Sequence, residues 1–224
     1  TGAEAVRLPI PGAHLPGVFH LRELSDGAAI KEAVAARKPR HAVIVGGGYI
    51  GLEMTEAFRH LGIEVTLLER LDRLAPGIDP LLAERVEDEV RRNGVRVRTG
   101  ASVTSIEPAG SGLRIRTGDE AVEADFVLVA AGVRPRVALA AAAGIRLGKT
   151  GAIAVDDRMQ TNVPDVWAAG DCAEARSVVT DQPVWVPLGT TANKQGKVAG
   201  ANAAGADERF RGIASTAAFK VFDL

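Results

Sequence analysis

Residues 46–51 read Gly-Gly-Gly-Tyr-Ile-Gly, set between the apolar run His41-Ala-Val-Ile-Val45 and a helical pattern from Leu52 to Leu61. A strand, a glycine turn and a helix in that order constrain a chain strongly, because each glycine answers a separate physical demand. Gly46 lets the backbone turn sharply off the strand. Gly48 removes a side chain that would hold a phosphate away, and Gly51 lets helix and strand pack closely. The N–H groups of the first helical turn lack intrahelical acceptors and form an anion site. Such a turn suits the pyrophosphate of a dinucleotide.

Glycine-rich turns are common in loops, so the surroundings supply the specificity. A second apolar strand, Ile63-Glu-Val-Thr-Leu-Leu68, ends in Glu69, about where an acidic residue meets the hydroxyls of an adenosine ribose. A carboxylate accepts from a 2′-hydroxyl and repels a 2′-phosphate, so Glu69 favours NAD(H). Arg70 and Arg73 pull toward NADP(H), since a guanidinium curling back from the loop can reach a phosphate. Solvated loop charge is the simpler role for each arginine.

With 224 residues, 46% of them hydrophobic, the chain can bury a full core in one large or two small domains. The net charge of −1, with both signs interspersed, points to neither nucleic acid nor a membrane surface as partner. No apolar run approaches the roughly 18 residues of a membrane span, and the start carries no secretory pattern. The single cysteine, Cys172, excludes an internal disulfide framework, suits a cytoplasmic setting and reads as a small buried residue. His14, His20, His41 and His60 lack metal-ligand spacing, so no metal site is expected.

Along the chain, a turn-rich entry with Pro9, Pro11, Gly12, Pro16 and Gly17 leads to the short run Val18–Leu21. Ser25 is the expected N-cap of a helix over Ala28–Arg37, which Pro39 stops. After Glu69, Asp79-Pro80 opens a further helix with Leu81, Leu82, Val86 and Val90 at roughly helical spacing, and Asn93-Gly94 closes it. Strands are expected at Val95–Arg98, Ser102–Glu107, Leu113–Arg116 and Phe126–Ala130. The alternation of Leu113-Arg-Ile-Arg116 suggests a half-exposed meander, and the Phe126 run a strand buried on both faces. The expected architecture is α/β: a Rossmann-like unit with a parallel sheet and a β-meander insertion. Beyond Gly151, Thr161–Asp171 reads as extended and ends in a Gly-Asp turn, Gly189–Ala204 as an alanine-rich helix, and Ala138–Ala143 as another helix.

Taken together, several ordered motifs resemble the flavin-containing pyridine nucleotide-disulfide oxidoreductase family, most closely its coenzyme A-disulfide reductase and NADH oxidase branch. They are Leu15–Arg22, the glycine loop with Tyr49 and Glu53, Ala130-Ala-Gly-Val-Arg-Pro135, Thr161–Asp171 followed by Ala173 and Glu174, and Pro187–Gly196. The resemblance covers essentially the whole chain. It implies an NAD(P)-binding domain, 37–151, inserted into an FAD-binding domain of which 1–36 and 152–224 are parts. By the same resemblance the FAD fingerprint and redox cysteine would precede Thr1, and a dimerisation domain would follow Leu224. The chain then reads as the middle of a homodimeric enzyme, inactive by itself.

The resemblance also implies site residues. Tyr49 would cover the flavin where nicotinamide enters and swing aside on binding, and Glu53 would sit near the flavin. Asp171 would accept from the ribityl chain of FAD, while Thr191 and Ala192, at a helix start, would face the flavin ring. Ile50 and Gly132, from the glycine loop and the Ala130–Pro135 motif, complete the cofactor-contact set. The implied activity is hydride transfer from NAD(P)H to FAD and on to a disulfide, thiol-linked or oxygen acceptor, with no side chain of this stretch as catalytic acid. A ferredoxin or rubredoxin reductase shares most of these motifs; a stand-alone NAD-binding module would not need the Asp171 turn.

Overall fold

A computed structural model describes residues 1–224. The chain runs β1 (Ala3–Ala5), β2 (Val18–His20), α1 (Leu24–Arg37), β3 (His41–Val45), α2 (Tyr49–His60), β4 (Glu64–Leu68), α3 (Pro80–Arg92) and β5 (Arg96–Arg98). It continues through β6 (Ser105–Ala109), β7 (Gly112–Thr117), β8 (Glu120–Ala124), β9 (Phe126–Val129), β10 (Val133–Pro135), α4 (Ala138–Ala142), β11 (Ala175–Arg176), β12 (Pro183–Val184) and α5 (Gly189–Ala203).

Two compact units result. The first comprises Ala5–Gly132 and Phe219–Leu224. Its sheet has the order β2-β9-β3-β4-β5, and every pairing is parallel. The central strands β9 and β3 carry the unbroken apolar runs Phe126–Val129 and Ala42–Val45 because both faces are covered there. Ala42, Ile44, Val65, Leu67 and Leu128 share a core with Leu52 and Phe58 of α2 and with Val86 and Val90 of α3. Val43, Val45, Val127 and Val129 turn the other way, into a core with Ile106, Leu113, Ile115 and Ala124 of the antiparallel meander β6-β7-β8. Helices thus cover one face of the sheet and the meander the other.

From β3 the chain crosses through α2 and α3 to β4 and β5 on one side, then returns to place β9 on the other side of β3. The direction of winding therefore reverses beside β3, and in open parallel sheets the crevice outside the strand ends at that point receives ligands. The Gly46–Gly51 turn lies at that end of β3.

The second unit comprises Thr1–Glu4 and Val133–Ala218. It holds the β1-β10 pair, the antiparallel β11-β12 pair, α4 and α5. Its apolar side chains form two small clusters, one around Ile153, Ala168, Cys172 and Ala173 and one around Met159, Ala175, Phe210 and Ile213.

Several expected boundaries are corrected. The compact units divide at Glu4 and Gly132. Residues before α1 belong with the first unit because β2 hydrogen-bonds to β9 in its sheet, and Ile30 of α1 enters its core. Helix α1 begins at Leu24, before the expected Ser25 cap, because the Asp26 carboxylate accepts the Glu23 amide at 2.8 Å and fixes an earlier start. Helix α2 begins at Tyr49, three residues before the expected Leu52, with Gly48 as its N-cap. Strand β6 starts at Ser105 and not at Ser102, and β8 was not expected at all. Glu120-Ala-Val-Glu-Ala124 has one β-branched residue, and its pairing with β7 sets its conformation.

Candidate functional site

The four glycines of the loop separate into two kinds. A Cβ on Gly46, whose φ is 115°, would lie 2.3 Å from the Ala130 carbonyl oxygen. One on Gly51 would lie 1.9 Å from the Gly46 carbonyl oxygen, and one on Gly47 2.5 Å from Leu74 Cδ2. At these three positions an added side chain would meet the protein's own atoms, backbone at Gly46 and Gly51 and the end of the Leu74 side chain at Gly47. Gly48 differs: its φ is −81°, which any residue can adopt, and a Cβ there would meet no heavy atom within 4 Å. Nothing inside the protein requires glycine at 48, so the space in front of it fits a ligand that approaches the backbone closely.

The rest of the loop is held firmly. The Gly46 amide donates to Leu68 O at 2.8 Å, Ala75 N donates to Gly47 O at 2.8 Å, and Leu52 N to Gly48 O at 2.9 Å. Inside α2 the buried Thr55 hydroxyl donates to Gly51 O at 2.7 Å. Glu69, only 8% exposed, accepts from the Gly47 amide through Oε2 and from the Leu71 amide through Oε1, both at 2.7 Å. The acidic residue expected at the ribose is therefore fastened to the rim of the glycine loop. Two amide donors occupy two of its roughly four lone-pair sites and leave acceptor capacity for hydroxyls.

Arg70 is exposed beside it, and Arg73 lies 3.7 Å from Asp72 with its Nε buried and unpartnered. Tyr49, the first helical residue, packs its ring on Phe219 with centroids 4.7 Å apart. Ile50 is half-buried, and Glu53 is exposed one turn further along α2. Gly132 is exposed with a φ of 100°, and its carbonyl accepts from Val6 N at 2.9 Å.

In the second unit, the Gly170-Asp171 turn and the start of α5 come together. Gly170 has a φ of 79°, and a Cβ on it would sit 3.3 Å from Ala192 Cβ. Gln195, fully buried, ties the two: its Oε1 accepts from Gly170 N at 2.8 Å and its Nε2 donates to Glu174 O at 2.9 Å. Asp171 is half-buried, and its carbonyl accepts from Trp185 Nε1 at 2.9 Å. Thr191 is buried one turn before Gln195 on the same helix face, and Ala192 N donates to Leu188 O at 2.9 Å.

Sequence reasoning missed Gln195 as the tie and Glu174 as a buried carboxylate that accepts from the Thr150 amide and hydroxyl, each at 2.8 Å. The available signal was a glutamine one turn after Thr191 in a helix rich in glycine and alanine. Cys172 is buried, with Sγ 3.5 Å from Ala169 O. No group of three or more His, Cys, Asp and Glu side chains is arranged to hold a metal ion, and no helix is long and apolar enough to cross a membrane.

The pyridine nucleotide-disulphide oxidoreductase family model matches residues 1–203. The chain belongs to that family. It is 40% identical over 96% of its length to an NAD(P)H sulfur oxidoreductase (CoA-dependent) of Pyrococcus furiosus, covering 49% of that protein. Among solved structures it matches an NAD-dependent persulfide reductase from A. fulgidus with a TM-score of 0.94 and 40% identity, over 100% of this chain and 42% of that one. It also matches a water-forming NADH oxidase from Lactobacillus brevis bound to NADH, and an engineered NADPH oxidase made from it and bound to NADPH. These two give 30% and 29% identity, each with a TM-score of 0.93 and covering 99% of this chain and 49% of theirs. The chain thus spans about half the length of the curated relatives it matches. The α/β fold with a Rossmann-like parallel sheet is common to this chain and these relatives.

Proposed function

We propose that this chain is the nucleotide-binding part and a flavin-side part of an NAD(P)H-dependent flavoprotein oxidoreductase. Its two cofactors supply hydride transfer from the nicotinamide to FAD and onward reduction of a disulfide, thiol-linked or oxygen acceptor. The observation that carries the reading is the contrast inside the glycine loop, where Gly46, Gly47 and Gly51 answer to the protein and Gly48 faces open space. The amides at the start of α2 bind the pyrophosphate, Glu69 accepts from the adenosine ribose, and Tyr49 stands beside the entry. Ile50, Glu53 and Gly132 belong to the same site. In the second unit, Asp171 and the α5 start at Thr191 and Ala192 hold the FAD side, with Gln195 fixing the turn.

A sulfur acceptor ranks first, supported by the 40% identity to proteins named for sulfur and persulfide reduction. A homodimeric parent in the cytoplasm completes the reading. The setting is supported by the single cysteine and the dimer by the family resemblance. The cofactor is NADH before NADPH. The engineered NADPH oxidase replaces a glycine by alanine, an aspartate by alanine, the next alanine by arginine, the methionine after it by serine, and a proline by arginine. Gly51, Glu69, Arg70, Leu71 and Pro76 stand here at the same spacing. Four of the five keep the unengineered character, and only Arg70 matches the engineered one.

Calorimetric titration with NADH and NADPH tests the site. Wild type should bind NADH more tightly than NADPH, and Gly48→Val should abolish binding without unfolding the protein, since its side chain would meet no protein atom. Undiminished NADH affinity in Gly48→Val would remove the basis of the assignment.

A further inference from the structure

The last six residues return to the first unit and lie along one stripe of α2. The Phe219 ring packs on Tyr49 with planes at 54°, the Phe222 amide donates to Glu56 Oε2 at 2.9 Å, and the Phe222 ring meets His60 edge-on at 6.4 Å. Positions 49, 56 and 60 share a helix face, so three successive points on the segment follow three points on the stripe. Val221 is 1% exposed and Phe222 is buried in the same core as Leu52 and Phe58. These two residues anchor the segment, and Phe219, only half-buried, is set by them.

Tyr49 directly follows Gly48, so its ring stands at the rim of the open space in front of that glycine. Phe219 holds one side of the ring, and its hydroxyl lies 3.7 Å from where a Cβ on Gly77 would be. The ring is still 39% exposed and belongs to the first residue of α2, the helix start across which the proposed dinucleotide would lie.

We propose that Phe219 is a positioning residue for Tyr49, holding its ring across the nucleotide entry until a dinucleotide displaces it. The proposal rests on the dinucleotide reading of the Gly46–Gly51 loop. Because the ring pair has to separate before the nucleotide can seat, the strength of the pair is subtracted from every binding event. Weakening the pair therefore tightens binding.

Tyr49 is the only tyrosine in the chain, so biosynthetic 3-fluorotyrosine gives a fluorine probe at this ring alone. In the 224-residue protein, NADH should shift the probe signal. Phe219→Ala should move the signal of the nucleotide-free protein toward the NADH-bound position and tighten NADH binding about 3-fold, the factor expected for an aromatic pair of ordinary strength. In a Tyr49→Ala background, Phe219→Ala should leave the affinity unchanged. Phe219→Leu keeps apolar bulk on the anchored segment, and should move the signal in the same direction with an unchanged melting midpoint. NADH binding with unaltered affinity and an unmoved signal in both Phe219 variants overturns the positioning role alone. No NADH binding to the wild type overturns the dinucleotide reading and the positioning role with it.

Discussion

The glycine loop and the Gly170-Asp171 turn are both tight turns with a glycine at positive φ beside the start of a helix, yet they are supported differently. The loop springs from β3, whose flanking strands β9 and β4 are buried on both faces, and its Gly46 and Gly51 lie against backbone. The turn has no such sheet behind it: its unit offers two-stranded pairs and small apolar clusters, and one glutamine side chain ties the turn to α5. A site on a complete sheet is fixed by packing, which many residues share. A site held by a polar tie depends on very few groups, each costly to lose.

Two intrinsic probes allow the contrast to be broken. Both tryptophans, Trp167 and Trp185, lie in the second unit, and all four histidines lie in the first. The largest effect is expected from Gly51→Ala, which would push a methyl group against the Gly46 carbonyl and should destabilise the first unit by about 3 kcal/mol. In urea unfolding, the far-UV circular dichroism transition should move to lower denaturant while the tryptophan fluorescence transition stays in place. Movement of both together would show one cooperative body and dissolve the distinction.

Next in size, Gln195→Ala leaves the Gly170 N–H and the Glu174 C=O without their partner and should cost about 2 kcal/mol. Here the tryptophan transition should move, with Trp185 emission shifting to the red because its indole bonds to the same turn. An unchanged fluorescence transition would mean that packing, and not the glutamine, holds the turn.

The smallest effect is a response to acid confined to the first unit. Burial, and then the charge of Arg96, hold His41 below its ordinary pKa; burial, and then Arg7, do the same to His20. The unfolded chain therefore takes up protons before the folded one, and stability falls as pH drops from about 6.5 toward the lowered folded values. Thermal unfolding followed by circular dichroism should show this loss, and His41→Gln should reduce it. A pH-independent midpoint between pH 7 and 5 would contradict it.

How much of this could be read beforehand follows the same contrast. The β3-loop-α2-β4 order and the two-face burial of the Phe126 run were legible because local pattern and long-range packing agree there. Strand β8 was not: its composition is neutral, and only pairing with β7 makes it a strand. The role of Gln195 and the Phe219 contact with Tyr49 were hidden for a related reason, since each joins positions distant in the chain. The two- and three-residue strands β1, β10, β11 and β12 exist by virtue of their partners and leave no periodicity to detect.

Glu69 has an evolutionary consequence. On the proposed nucleotide reading, the carboxylate that would select among nucleotides also closes the glycine loop through Gly47 and Leu71, so discrimination and architecture would share one side chain. A lineage drifting toward the phosphorylated cofactor would already carry Arg70, but removing Glu69 would first loosen the loop proposed to bind either form. The shift would then be reached through a weaker intermediate, or only after a second change had replaced the lost amide acceptors. Cofactor preference at such a site should change rarely and in coupled steps, even where the charge alone looks one substitution away.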